Sequence, residues 1–364
     1  MKLFHIVISV LIGPLYIINA TSIPEFRKLQ KEVADLQRRM CPPGSGPSQK
    51  TRIVRLGGSN GGEDLATVDV IYPNDPANIA HYKIMQTLPT PRSRHAVATI
   101  GTKVIVFGGT SRSADISSVE YLNWRTGEVG QLPPLSHALS GLAAVSFNET
   151  LLYGSEEFSE QSALERVFLC GGLFGLASKD ACYWYNIAEG PTDQGKYGHS
   201  IQAMPEPRAG PAAVQLGEYI YVIGGGDTQN VQSSLANQQD SVIRYHTIYN
   251  TWQRVASMAV KRLYPAAAAV GEKIYVCGGL NEELSEVSSC EMYDSTENTW
   301  TQIGSMNEAG SAGMGSGLTL VNFNQQLMAI HSESVEKFDR RGKTWETIAG
   351  LTLERRENFA AVVV

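Results

Sequence analysis

Long apolar runs are absent from this sequence after its first twenty residues, and so is any excess of positive charge. The first absence leaves no later segment apolar enough to cross a membrane as a helix. The second follows from 30 Lys and Arg against 36 Asp and Glu, a formal net charge of −6. There is no basic footprint for nucleic acid or for an anionic membrane surface. Catalytic punctuation is missing too: the chain has no HExxH, no nucleophile elbow and no paired acid–base motif. GGSNGG (57–62) and GGGDT (224–228) look like phosphate loops but lack the following Lys-Ser/Thr, so they read as strand-to-turn glycines. No metal ligand set and no cofactor motif is legible.

What is present is glycine, 35 residues of it, with only 18% charged residues. That composition suits an all-β protein of many short strands and tight turns. The N-terminus is different. Residues 1–20, MKLFHIVISVLIGPLYIINA, place one Lys before an apolar run and end on a small residue, as a secretory signal peptide does. The competing reading is an uncleaved anchor, which the run barely reaches in length and which Pro14 interrupts. With the signal removed, the chain is secreted and keeps no membrane span.

Residues 21–41 carry Phe26, Leu29, Val33, Leu36 and Met40 at alternating steps of three and four. This is a short heptad stripe on a predicted helix. Two heptads are marginal alone in water. The stripe either pairs with copies of itself, making residues 22–41 a self-association stem, or lies on its own domain. Pro42 and Pro43 stop the helix, and residues 42–51 form a Pro/Gly/Ser linker.

From residue 52 the chain repeats itself. Apolar strands end on a Gly pair in RIVRLGG (52–58), TKVIVFGG (102–109), RVFLCGG (166–172), YIYVIGG (219–225) and KIYVCGG (273–279). The second glycines are 51, 63, 53 and 54 residues apart, and LMAIHSE (327–333) falls at the next place without glycines. An aromatic precedes a Trp by seven residues in three repeats: Tyr245 with Trp252, Tyr293 with Trp300, and Phe338 with Trp345. Leu122 and Val129 stand there in the second repeat, and the third has Tyr185 without the Trp. An Arg follows Met or Leu by four residues in LPTPR (88–92), MPEPR (204–208), MAVKR (258–262) and LTLER (351–355), and strands rich in small residues come next.

The Gly pair, the aromatic, the Trp and the Arg-led strand together resemble the kelch family, over residues 52–364. The resemblance implies a six-bladed β-propeller. The first blade starts at Arg52 on a Gly-Gly strand with no inner strand before it, and the sequence ends on an inner-type strand, NFAAVVV (358–364), so the last strand is expected to complete the first blade and remove exposed edges.

Cys170 and Cys277 precede their Gly pairs, and Cys182 and Cys290 stand three residues before the aromatic of the same repeat. Equivalent placement on neighbouring strands predicts the disulfides Cys170–Cys182 and Cys277–Cys290; buried free thiols are the alternative. Cys41 is left over and predicts an interchain bond at the end of the stem, or else a free or capped thiol. Asn148, in FNET, is an N-glycosylation acceptor beside an insertion at about 150–164.

Arg92, Arg208, Arg262 and Arg355 are the leading ligand-binding candidates. By resemblance, such arginines in some kelch proteins line a pocket at the central channel and grip acidic peptides. The structural alternative has them bridging blades through carbonyl oxygens. Two function classes follow. One is a non-enzymatic extracellular module that binds a protein or a glycan, with a matrix role as a variant. The other is a propeller-type oxidase or hydrolase with its site at the channel mouth. The mature histidines 81, 95, 137, 199, 246 and 331 do not cluster in sequence, which weighs against the second.

Overall fold

A computed structural model describes residues 51–73, 82–83, 87–147, 166–192, 201–228, 237–313, 315–351 and 353–364. The expected signal segment, helical stem, linker, Cys41 and Asn148 lie outside the described residues. The chain divides into residues 1–50 and Thr51–Val364; the second unit is described here.

It is a six-bladed β-propeller. Each blade is a four-stranded antiparallel sheet, running from an inner strand to an outer one. Blade 2 holds Ala96–Ile100, Lys103–Phe107, Val119–Asn123 and Val129–Leu132; blade 3 holds Ala143–Phe147, Arg166–Cys170, Cys182–Asn186 and Gly190–Thr192. Blade 4 holds Ala212–Leu216, Tyr219–Ile223, Val242–His246 and Thr251–Val255. Blade 5 holds Ala266–Val270, Lys273–Cys277, Cys290–Asp294 and Thr299–Ile303. Blade 6 holds Leu318–Phe323, Gln326–His331, Val335–Asp339 and Thr344–Thr347.

Blade 1 is made from both ends of the unit. Ile53–Leu56, Val68–Ile71 and Tyr82–Lys83 receive Ala360–Val363 as their inner strand, with Ile53 opposite Val363 and Leu56 opposite Ala360. The six inner strands pack side by side around the axis and close the ring.

Burial explains the sequence of each strand. The second strands, such as KVIVF and YIYVI, are buried along almost their whole length because a sheet lies against both faces. The inner strands alternate buried and half-buried residues, and alanines dominate where blades converge, as in Ala266–Val270. The seven-residue spacing is a register effect: Tyr245 opposes Trp252, Tyr293 opposes Trp300 and Phe338 opposes Trp345 across the third and fourth strands. Their ring centroids are 5.1, 5.0 and 5.1 Å apart, contacts that add about 0.5–1.5 kcal/mol each beyond burial.

Each Trp also ties its blade to the one before. The indole N–H of Trp252 donates to Gln202 O, that of Trp300 to Ala256 O and that of Trp345 to Gly304 O, at 2.8, 2.8 and 3.0 Å. Blade 3 does the same job differently: the Tyr185 hydroxyl donates to Pro133 O at 2.7 Å. In blade 2, Leu122 simply opposes Val129.

Both sulfur pairs lie at bonding distance on directly opposed residues. Cys170–Cys182 and Cys277–Cys290 each have a Cα separation of 4.2 Å, as in a closely spaced antiparallel pair.

Candidate ligand-binding face

The propeller has two faces. One carries the turns between first and second and between third and fourth strands. The other carries the loops after the Gly pairs and the loops that pass from blade to blade. The arginines belong to this loop face.

At each Gly pair the first residue has φ of +55 to +68° and the second +91 to +98°. Only glycine adopts both without strain. The pair folds back under a carbonyl of the incoming loop: Gly58 N donates to Arg92 O, Gly172 N to Arg208 O and Gly225 N to Arg262 O, at 2.8, 2.9 and 2.8 Å.

The side chains of these arginines reach on into the next blade. Arg92 Nη1 donates to Gly108 O and Ser118 O, and Nη2 sits 2.6 Å from Glu120. Arg208 donates to Gly224 O, Ser241 O and Ser241 Oγ. Arg262 donates to Gly278 O, Ser289 O and Ser289 Oγ, and pairs with Glu291 at 3.2 Å. All three are fully buried. Burial lowers their pKa values, that of Arg208 to about 10, which still leaves cations at neutral pH. Their Nη groups bond inside the wall and their side chains are closed to solvent, so the expected pocket role is corrected: they stitch one blade to the next.

Arg355 is corrected as well. It is exposed and pairs with Glu357 at 3.0 Å. The equivalent place belongs to Arg356, which is buried, donates to Thr67 O and lies 2.7 Å from Asp69. Asp69 also takes Arg55 Nη2 at 2.7 Å, while Arg55 Nη1 reaches Ser332 O of blade 6. The doublet Arg355-Arg356 made the register ambiguous in sequence.

Two residues after each stitching position, the loops meet at the axis. Arg94 N donates to Asn358 O, Gly141 N to Arg94 O, Gly210 N to Gly141 O, Tyr264 N to Gly210 O and Ala312 N to Tyr264 O, at 2.8–3.1 Å. This collar of backbone bonds passes from blade to blade. Arg94, Gly141, Gly210, Tyr264 and Asn358 all have φ between +51 and +57°. A bulky residue held there costs of order 1–3 kcal/mol.

Tyr264 is that bulky residue, and its ring fills the axis. It packs on Gly141, Gly210 and Gly313, where an added methyl would crowd or overlap the ring. The side chain is 5% exposed. Burial raises its pKa, with Asp115 acting the same way and Arg94 against it. Arg94, half-buried at the rim beside Tyr264, Leu142, Pro211 and Pro265, makes no side-chain hydrogen bond or ion pair with any described residue. His95 lies beneath, its pKa lowered to about 3 by burial and by Arg92.

Around this centre, short ribbons follow four Gly pairs: Ser59–Asn60 with Glu63–Asp64, Thr110–Ser111 with Ala114–Asp115, Leu173–Phe174 with Ala177–Ser178, and Gly226–Asp227 with Asn237–Gln238. Acids link them in series. Asp64 accepts Arg112 N at 2.8 Å, Asp115 accepts Gly175 N at 2.9 Å, and Ser178 Oγ donates to Asp227 at 3.1 Å. Phe174 and Leu176 project from the third ribbon, 48% and 87% exposed.

Sequence reading missed Arg94 and Tyr264. A signal was there: both stand two residues after a stitching arginine, where Gly210 stands in another blade. Among the described residues no group of three or more His, Cys, Asp or Glu side chains is placed to hold a metal ion.

The Kelch motif family model matches residues 91–136, 207–259 and 261–307. These are blades 2, 4 and 5 with their incoming loops, the ones led by Arg92, Arg208 and Arg262. An F-box/kelch-repeat protein of Arabidopsis thaliana is 32% identical over 126 residues, 32% of this chain and 33% of its own. Alpha-scruin of Limulus polyphemus is 26% identical over 217 residues, 58% of this chain and 22% of its own. Kelch-like protein 34 of Homo sapiens is 30% identical over 121 residues, 31% of this chain and 19% of its own. The chain spans a third or less of the length of these relatives. Six closed blades, three motif matches and these relatives make the chain a β-propeller with kelch repeats and support its place in a kelch-repeat family.

Proposed function

We propose that this chain is a secreted, non-enzymatic binding protein whose loop face takes an extracellular protein ligand. Kelch propellers are in general protein-binding scaffolds. The observation that carries the reading is Arg94, a cationic side chain at the rim of the axis with no described partner, held by a strained backbone. Phe174 and Leu176 supply apolar surface on the same face. Two disulfides on opposed strands favour an oxidising compartment, in line with the signal segment at 1–20. The stem at 22–41 and an interchain bond through Cys41 would raise valency, and Asn148 would carry a glycan. A glycan ligand remains the runner-up class. An oxidase or hydrolase has less support, because Tyr264 occupies the place where a channel-mouth site would receive its substrate.

The test is affinity capture with cross-linking from the native extracellular fluid. Arg94→Ala is expected to lower the captured protein at least tenfold, while Arg355→Ala leaves it unchanged. Equal capture by Arg94→Ala and the parent chain would sink the assignment of this face. Retention of the full-length chain inside cells that secrete other proteins would sink the compartment.

A further inference from the structure

Two of the acids that link the ribbons of the loop face do so at one repeated place, the first loop residue of the next ribbon. Asp64 of the first ribbon accepts Arg112 N of the second at 2.8 Å, and Asp115 of the second accepts Gly175 N of the third at 2.9 Å. The corresponding residue of the first ribbon is Gly61. The blade before it in the ring is blade 6, which carries no ribbon among the described residues. Gly61 N accordingly has no acceptor among the described residues. The series begins on a free amide.

The residue before that amide is Asn60, and Asn60-Gly61 is the one Asn-Gly step in the sequence. Asn60 is exposed, as are Gly61, Gly62 and Glu63. Its carboxamide makes no hydrogen bond with any described residue. Turn asparagines elsewhere are tied down. Asn123 Oδ1 accepts Arg125 N at 3.0 Å, Asn186 Oδ1 accepts Ala188 N at 2.9 Å, and Asn298 Oδ1 accepts the Tyr293 hydroxyl at 2.8 Å. They are followed by Trp124, Ile187 and Thr299, whose side chains crowd the amide nitrogen that a glycine leaves open.

Around Gly61 the space is empty: a Cβ there, or on Gly62, would meet nothing within 4 Å. Gly61 and Gly62 have φ of +60 and +87° and form a two-residue hairpin turn. Each strand of the ribbon is two residues long, with Ser59 opposite Asp64 and Asn60 opposite Glu63. The base is held. Ser59 exchanges backbone bonds with Glu357 at 2.7 and 2.8 Å, and Asp64 accepts the Ser93 hydroxyl at 2.6 Å. The tip has only the Asn60–Glu63 pair, and so short a hairpin end opens readily.

We propose that Asn60 is a modification site, at which the chain deamidates itself through a succinimide. Opening of the tip lets Gly61 N reach Asn60 Cγ. The Gly61 nitrogen gives its proton to hydroxide and bonds to Cγ. The Cγ–Nδ2 bond breaks, and Nδ2 takes a proton from water and leaves as ammonia. Water then opens the five-membered ring. Breaking the bond from Gly61 N to Cγ gives aspartate; breaking the bond from Gly61 N to the Asn60 carbonyl carbon gives isoaspartate. One water is consumed and one ammonia released. Either product sets a carboxylate opposite Glu63, where like charges repel, and isoaspartate puts Cβ into the backbone, which the register cannot absorb. The first ribbon gains a negative charge and loosens with time. The chemistry needs neither secretion nor a ligand.

Peptide mapping of the folded full chain after incubation at neutral pH tests this. The peptide holding Asn60 is expected to gain the mass difference between hydroxyl and amino groups and to split into aspartyl and isoaspartyl forms. Asn123, Asn186 and Asn298 are expected to remain amides over the same period. Conversion is expected to speed up about tenfold per pH unit in mildly alkaline solution, since Gly61 N must lose its proton. Gly61→Ala is expected to slow it about tenfold or more, because a Cβ hinders the approach that glycine allows. Gly62→Ala strains the loop too but keeps Asn60-Gly61, and is expected to convert at least as fast as the parent. Amide hydrogen exchange at Glu63 is expected to rise in Asn60→Asp, with the second ribbon unchanged. An amide that persists at Asn60 in the folded chain while the urea-unfolded chain converts overturns the proposal. Aspartate without isoaspartate overturns the succinimide, and faster conversion at another asparagine overturns the assignment. Equal exchange at Glu63 in parent and variant overturns the loosening.

Discussion

Blades 5 and 6 are neighbours built on one plan, and they hold themselves together in different ways. In blade 5, Arg262 enters from the loop and binds Gly278 O, Ser289 and Glu291. In blade 6, Glu336 keeps the acid's place and accepts Asn307 N and Glu308 N at 2.9 and 3.1 Å. The loop position of the arginine is Gly310, whose carbonyl accepts Gly279 N as Arg262 O accepts Gly225 N. The first glycine of the pair has become His331: His331 N donates to Ser334 O as Gly278 N donates to Ser289 O. Its ring sits 3.1 Å from Glu336. The side chain beside the buried acid has thus moved from loop to strand, and a glycine has moved the other way. A buried carboxylate needs a donor near it; the fold specifies the place of the donor's head, not of its backbone.

Ser332 completes the exchange. It replaces the second glycine, and its hydroxyl accepts Arg356 N while its carbonyl accepts Arg55 Nη1. Blade 6 therefore leans on the closing joint with blade 1, whereas blade 5 is pinned within itself by an arginine and a disulfide.

The largest effect should come from blade 5. Arg262→Ala leaves Glu291 buried at 1% exposure with no cation beside it, and should cost about 3–5 kcal/mol. Urea unfolding under non-reducing conditions measures this. A loss below about 1 kcal/mol would mean the disulfide alone secures that strand end.

The disulfides extend the comparison to blade 3, where Leu139 takes the stitching place and Cys170–Cys182 stands alone. Replacing Cys170 and Cys182 by Ala should cost about 2–4 kcal/mol. The same change at Cys277 and Cys290 should cost less, since Arg262 still holds Gly278 and Ser289. Equal losses in urea midpoint would break the idea that bridge and arginine share a task.

The exchange itself can be reversed. His331→Gly should destabilise blade 6 by about 1–3 kcal/mol, because a buried acid loses a partner. Adding Gly310→Arg should recover part of that loss, with a coupling of about 1 kcal/mol or more. A strictly additive double variant would show that the two positions are not partners.

The smallest effect is a pH dependence. Burial acts to raise the pKa of Glu336, but the His331 ring and the N–H groups of Asn307 and Glu308 outweigh it, so the carboxylate is held below its usual range. A depressed folded pKa contributes stability above the unfolded value near 4.3 and loses it as pH falls through the folded value. Unfolding midpoints of the parent and of Glu336→Gln should differ at pH 6 and converge as the pH drops below about 4. A constant gap across that range would remove the carboxylate's charge from the account.

Much of the fold was legible because repetition repeats its reasons. Gly pairs, opposed aromatics and tryptophans recur wherever the backbone must turn under a carbonyl or fill a wedge, and the lone inner strand at the end implied closure. Cysteines at equivalent places on neighbouring strands implied their pairing. The candidate site was less legible. Arg92, Arg208 and Arg262 carried the right signature but the opposite role, because sequence shows a guanidinium and not whether its donors are already used. Arg355 was chosen over Arg356 because adjacent arginines differ by a half-turn in direction that only the strand register resolves.

The sequence by itself determined the number of blades, the closing strand, the paired cysteines and the repeated residues of each blade, since these depend on local spacing and on period. Tertiary structure alone decided that the axis is filled by Tyr264, that Arg94 stands without a described partner at its rim, and that blade 6 sets the His331 ring beside its buried acid where blade 5 has an arginine. Those facts arise where loops from all six blades meet. No spacing along one chain encodes the distance between side chains that the closed ring brings together.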